Sequence, residues 1–437
     1  MSNLRLEIVL IGINSPMTTL NRPTIHQLSN GLTIIAEQLP VEAVNLNIWF
    51  QVGSAVEPDT INGMAHFLEH MMFKGTPNLQ PGEFDRLVEQ RGGVMNAATS
   101  QDYTHYYITT APQDFAELAP LQLELVSNPS LPEAEFMRER KVVLEEIRRS
   151  EDNTMRRTYA RAMETCFESL PYRRPVLGPA EVISEVTPEQ MREFHRQWYH
   201  PQGMTVSVVG NLPAETLIET VTEAWEAIAP QCYAPLPTTV SFPEPEPPFS
   251  EIVRQSYQDP KLQEARLVML WRVPGLNELQ ETYALDVAAA ILGQGKVSRL
   301  FRQLREEEKL VSAITASNSS QKLQGTFSVS ARLPVENLER VEKAIQGQIK
   351  RLQTEPIPEA DLNRIQTKIA NRYIFANEKP SDRANLYGYF FSQLGDLQPA
   401  FNYPQVIRHL TPAHIQQAAQ RYLSPDAYGL VTLCPPS

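Results

Sequence analysis

Seven prolines fall between Pro230 and Pro248, at positions 230, 235, 237, 243, 245, 247 and 248. Proline fixes φ and has no N–H to give, so the stretch can be neither a helix nor a central strand and predicts a stiff linker. It divides the chain nearly in half. At roughly 100–200 residues per domain, a chain of 437 residues can build a separate core on each side of such a linker. The expected plan is a tail at 1–22, a first domain at 23–229, the linker at 230–250 and a second domain at 251–437.

The two sides read as copies of one another. Phe84-Asp85-Arg86-Leu87, a strand pair and Pro132-Glu133-Ala134-Glu135-Phe136 are echoed by Phe301-Arg302-Gln303-Leu304, a strand pair and Pro358-Glu359-Ala360-Asp361-Leu362. A repeat of this length predicts duplicated domains, each with its own core, rather than a solenoid. Alternating runs at Leu32–Ala36 and Val44–Phe50, then helical patterns, then a strand near Thr205–Val209 give an α+β class.

Composition removes several functions. The 42% hydrophobic and 21% charged content is that of a soluble globular chain, and a net charge of −12 opposes sequence-independent nucleic-acid binding. Cys166, Cys232 and Cys434 are scattered and show no C-x-x-C spacing, which predicts neither a disulfide framework nor a thiolate metal site. The apolar run Leu6–Ile13 is short and interrupted by Glu7, and no other run approaches the roughly 20 residues of a membrane span. A cytoplasmic protein is expected.

The chemistry is carried by His66-Phe67-Leu68-Glu69-His70, an H-x-x-E-H pentapeptide in a helical pattern. At about 100° per residue the two imidazoles share a face and can reach one cation, while Glu69 beside them is placed to take a proton from a water. Met64, Phe67, Leu68, Met71 and Met72 form the stripe that fixes the helix to a core, and Gly75 with Pro77 stops it. The corresponding segment of the second half, Tyr283–Leu292, has no histidine, so only the first half can hold a metal. That arrangement predicts metal-assisted hydrolysis.

Catalytic zinc takes three protein ligands, which leaves one to find. On the helix that starts after Pro132, Glu139 and Glu146 lie seven apart on one face. From the residues alone this face also fits a solvated acidic stripe, and Glu145 is a second candidate ligand.

His66-x-x-Glu69-His70 followed by Glu139-x6-Glu146, with Glu146 lying 76 positions beyond His70, resembles the pitrilysin and insulinase superfamily of zinc peptidases. The likeness is to its roughly 50-kDa branch, similar to the mitochondrial processing peptidase β subunit and bacterial relatives. It extends through Gly92–Thr99 and Asp102-x-Thr104-x-Tyr106. It implies two homologous α/β sandwich halves, each a mostly antiparallel sheet covered by helices, facing each other as a clamshell. It further implies one Zn2+ on His66, His70 and Glu146, with Glu69 as general base and Glu139 as the supporting carboxylate. Asn96, Ala97 and Ala98 would form an edge strand to which an extended peptide or unfolded polypeptide adds through its backbone.

Self-sufficient members of that superfamily carry an Arg-x6-Tyr pair in the second half that holds the substrate carbonyl. Here Arg305 is present, but Ser312 stands at the tyrosine's place. The resemblance therefore implies a heterodimer in which a homologous subunit supplies the pair, or alternatively a homodimer. A non-catalytic assembly subunit that keeps the fold is the competing reading.

Overall fold

The computed structural model describes residues 22–228 and 242–436. All but the last residue of the expected tail and most of the linker, with the apolar run near the N-terminus and Cys232, lie outside the described residues. In the first half the strands are β1 (Thr24–Gln27), β2 (Thr33–Gln38), β3 (Val44–Phe50), β4 (Val94–Thr99), β5 (Thr104–Thr110) and β6 (Met204–Gly210). They form a sheet in the order β1-β2-β6-β3-β5-β4. In the second half β7 (Ile252–Gln258), β8 (Ala265–Pro274), β9 (Ala313–Ser319), β10 (Gln324–Leu333) and β11 (Tyr428–Cys434) take the order β7-β11-β8-β10-β9.

With β1 set aside, these orders are the same. β2 pairs parallel with β6 as β7 does with β11, and every other neighbour is antiparallel in both sheets. A parallel pair needs a long crossover, and in each half the helices supply it. Met64–Met72 in the first half corresponds to Leu279–Gly293 in the second, and Glu133–Asp152 to Glu359–Phe375. Pro188–Trp198 starts from a capping box on Thr187 and Pro412–Tyr422 from one on Thr411, a further echo of the duplication. The class is α+β with two homologous halves, as expected.

The halves also interlock, which the plan of two self-contained domains does not include. Helix Thr154–Cys166 belongs to the first half in sequence, yet Ala162, Met163 and Cys166 pack with Val268, Leu270, Val431 and Leu433 of the second sheet. Helix Pro380–Leu394 does the converse, placing Ala384 and Tyr387 against Ile35 and Val209 of the first. Each sheet is buried on both faces, and the second face of each is covered by a helix of the other half. Buried polar groups tie the exchange down. Glu37 accepts from Arg383 Nη1 at 3.1 and 3.2 Å and from Tyr387 OH at 2.7 Å.

The described end of the linker is anchored as well as stiff. Residues 242–250 contain no helix or strand, and the Glu246 carboxylate accepts from the N–H groups of Glu168, Ser169 and Leu170 while pairing with Arg272 at 2.9 Å. Among the described residues no helix is long and apolar enough to cross a membrane.

Candidate metal centre

Helix Met64–Met72 is fixed before any metal is considered. Met64, Phe67, Leu68, Met71 and Met72 are fully buried, as the apolar stripe predicts. Its N-terminus is held by a residue that the sequence did not point to, Glu57, whose carboxylate accepts from Gly63 N and Ala65 N at 2.7 Å each and from Asn62 Nδ2 at 2.9 Å. An acceptor here satisfies the unpaired N–H groups of the first turn and meets the positive end of the helix dipole.

Burial nevertheless pushes the Glu57 carboxyl up to about 7 from 4.5, against the pull of those hydrogen bonds. A group whose folded pKa lies above its unfolded value takes up a proton on folding. Its stabilising effect is therefore complete below about 4.5 and is lost as pH rises through about 7. Glu57→Gln, which cannot titrate, should flatten this part of the curve of unfolding free energy against pH. Urea unfolding of both proteins from pH 4.5 to 7.5 tests this, and parallel curves would rule it out.

Opposite this helix lies Glu133–Asp152, and the two bring three side chains to one point. The ligand atoms of His66, His70 and Glu146 all lie within 4.8 Å of one another. His66 Nε2 is 3.6 Å and His70 Nε2 3.5 Å from Glu146 Oε2. Tetrahedral bonds of about 2.0–2.1 Å place ligands about 3.3–3.5 Å apart, so the separations suit a small tetrahedral cation. Burial, with help from the charges of His70 and Arg156, lowers His66 to about 3, which keeps it in the neutral form a metal ligand needs.

The imidazoles are oriented differently. His70 Nδ1 is 3.0 Å from Glu139 Oε1, and Lys74 Nζ is 2.8 Å from Glu139 Oε2, so a carboxylate and an ammonium hold that ring with Nε2 toward Glu146. Burial pulls the His70 pKa down, but the bond to Glu139 and the surrounding carboxylates outweigh it and raise it. His66 Nδ1 is buried with no hydrogen-bond partner among the described residues, so that ring has no carboxylate behind it.

Glu69 lies beside the trio, half-buried, with Thr99 Oγ1 donating to its Oε2 at 2.5 Å. Burial raises its proton affinity, and the Thr99 hydrogen bond opposes the rise only partly. Glu145 points outward and pairs with Arg148 and Arg149 at 2.8 and 3.1 Å, which leaves Glu146 as the inward carboxylate. Thr99 ends β4, the last strand of its sheet, so the segment Asn96-Ala97-Ala98 does form an edge. Asp102 bridges the halves by accepting from Tyr172 OH and Lys322 N at 3.0 and 2.9 Å.

Arg305 is not brought to this point. It lies in the second half with its guanidinium over the Phe301 ring, 4.8 Å from the centroid. Ser312 donates to Glu264 Oε2 at 2.7 Å and touches none of the residues of the trio.

The model of the insulinase family, peptidase M16, matches residues 33–180, and that of the peptidase M16 inactive domain matches residues 185–369. An uncharacterized zinc protease of Mycobacterium leprae is 30% identical over 307 residues, 70% of this chain and 67% of that protein. This chain belongs to the insulinase family. Zinc protease PqqE of Helicobacter pylori, a similar protein, is 28% identical over 415 residues, 93% of this chain and 92% of its own length. The crystal structure of a protease from Helicobacter pylori matches with a TM-score of 0.87 at 28% identity, covering 95% of this chain and 99% of that one. The insulinase match thus covers both helices that carry the trio, while the inactive-domain match begins late in the first half, takes in β6, and extends over the second half's helix Leu279–Gly293, which has no histidine.

Proposed function

We propose that the chain is a zinc-dependent endopeptidase that cleaves short or unfolded polypeptides. The observation that carries this reading is the convergence of His66, His70 and Glu146 within 4.8 Å, beside a half-buried Glu69 that is not itself one of the three. Zinc held by these three side chains would supply Lewis-acid polarisation of the scissile carbonyl and a water of lowered pKa. Glu69, held by Thr99 and raised in proton affinity by burial, takes the proton of the attacking water and passes it to the leaving amine. Glu139 and Lys74 keep the His70 ring in position.

The substrate adds to β4 as a further strand. Asn96 Oδ1 accepts from the Ala97 N–H at 2.9 Å, a donor on the edge segment that an incoming peptide backbone can take over. Backbone pairing of this kind tolerates many sequences but requires an extended chain.

Neither Arg305 nor Ser312 contacts the trio, so support for the developing oxyanion is read as coming from another chain. We assign this chain as the zinc-bearing subunit of a dimer whose homologous partner, or second copy, places its second half over the cleft. The test is zinc content and peptidase activity of the purified chain, alone and mixed with homologous chains. One bound zinc and activity that rises with dimer formation are expected. Full activity in a monomeric species would overturn the dimer, and absence of stoichiometric zinc would overturn the metallopeptidase reading. Glu139→Gln should weaken zinc affinity by about 10–100-fold, as losing the carboxylate behind a ligating histidine does elsewhere. A chelator competition titration measures this.

A further inference from the structure

A cleft of about 1060 Å³ lies in the second half, walled by helices and turns with no strand residue in its lining. Helix Leu338–Thr354 forms one side, and Phe301–Glu307 with the start of Glu359–Phe375 forms the rest. Two features of these walls are unusual. Phe301–Glu307 is wound as a π-helix, with Glu308 N donating to Gln303 O five residues back at 2.8 Å, a rare form that recurs at functional sites. Gly347 stands in the middle of helix Leu338–Thr354, where a Cβ would meet no atom within 4 Å. Glycine is a poor residue for a helix interior, and no neighbour requires it here. Its missing side chain leaves the cleft open.

Four arginines and four carboxylates line the cleft, and the pairing between them leaves one cation over. Arg302 pairs with Glu307 at 3.5 Å, Arg351 with Glu355 at 3.0 Å and Arg364 with Asp361 at 3.3 Å, while Glu308 is met from outside the cleft by Arg340 at 3.8 Å. Arg299 has no such partner among the described residues, and its Nη1 is buried with no hydrogen bond. Burial and the nearby charges of Arg351 and Arg302 lower its pKa, against the pull of Glu355 and Asp361. A half-buried guanidinium repelled by two others is a place where an anion is stabilised. Beside it Gln348 Nε2 donates to Gln303 Oε1 at 2.6 Å, which leaves Gln348 Oε1 buried and unpartnered.

We propose that this cleft binds the phosphate monoester of a small polyhydroxylated molecule, with the phosphate against Arg299, Arg302 and Arg351. Near neutral pH such a phosphate carries close to two negative charges, more than one guanidinium balances. Arg302 and Arg351 hold their present partners in exposed pairs that contribute little, so both can turn to a dianion. The remaining lining sets the rest of the ligand. Glu307, Glu355, Asp361 and Gln348 Oε1 offer acceptors, which suit hydroxyl groups and oppose a second phosphate. The inference is independent of hydrolysis, because the cleft contains none of the residues assigned to the metal centre.

The test is isothermal titration calorimetry on the full-length zinc-loaded protein, with glucose 6-phosphate, ribose 5-phosphate and glycerol 3-phosphate as probes beside inorganic phosphate. At least one ester should bind about tenfold tighter than inorganic phosphate. Arg299→Gln should weaken that ester by about tenfold or more while zinc content and peptidase activity stay unchanged. Gly347→Leu serves if Arg299→Gln fails to fold. It fills the cleft from a position with room for a side chain and replaces a poor helix former by a good one, so binding should be lost while the melting temperature rises. Inorganic phosphate binding as tightly as every ester would assign free phosphate and overturn the ester. Binding unchanged in both variants, as binding at the metal centre would be, overturns the cleft.

Discussion

Glu69→Gln should lower kcat by about 10²–10⁴-fold while zinc content and thermal stability remain those of the unmodified chain. Glutamine keeps the size of the side chain and an oxygen to accept from Thr99 Oγ1, but it cannot take a proton from water. Burial makes the native Glu69 a stronger base than an exposed glutamate, so the substitution removes a group tuned for proton transfer. Glu146→Gln provides the contrast, since a variant missing one of three ligands should lose zinc and activity together. Zinc analysis alongside peptidase kinetics separates the two residues. If Glu69→Gln kept activity within tenfold, or shed its zinc, the assignment of Glu69 as base would fall.

Gly388→Ala should destabilise the protein by about 1–3 kcal/mol, the usual cost of overpacking a filled core. The sign is informative. In the interior of a solvent-exposed helix the same change would stabilise, because alanine is favoured over glycine by about 0.8–1.0 kcal/mol. Here a Cβ on Gly388 would sit 2.0 Å from Trp49 Nε1. Trp49 cannot step aside, since it is buried and stacked on His105 at 4.2 Å with Tyr103 and Tyr389 around it. The clash falls between helix Pro380–Leu394 and β3, so it prises the two halves apart. A higher melting temperature for Gly388→Ala would mean that this helix does not pack as described.

What could be read from the sequence was what is local. The H-x-x-E-H helix, its apolar stripe, the strand alternation in β2 and β3 and the helix start after Pro132 all depend on neighbours a few residues apart, and each falls where its pattern predicts. The Glu139 and Glu146 face was ambiguous because an acidic stripe looks the same whether it faces solvent or a pair of histidines. Lys74, Thr99 and Glu57 were not singled out as partners. Their roles arise where separate elements meet, and no spacing within one element announces that. The matching Thr-Pro helix starts at Thr187-Pro188 and Thr411-Pro412 were present as a signal and would have strengthened the case for duplication. The interlock left no trace, because Ala162, Met163 and Cys166 show that their helix is buried on one side but not whose sheet lies beneath it.

That exchange of helices bears on how such a chain could arise. A half-length ancestor with this sheet would have left one face uncovered, and two copies could each cover the other by trading a helix, as swapped dimers do. Joining them through the segment now rich in proline turned an encounter between molecules into closure within one, at an effective concentration no dilution can lower. Once fused, the copies no longer had to be identical. One could keep a cation site at Glu146, fourteen residues beyond Pro132, while the other, fourteen beyond Pro358, took up Arg372.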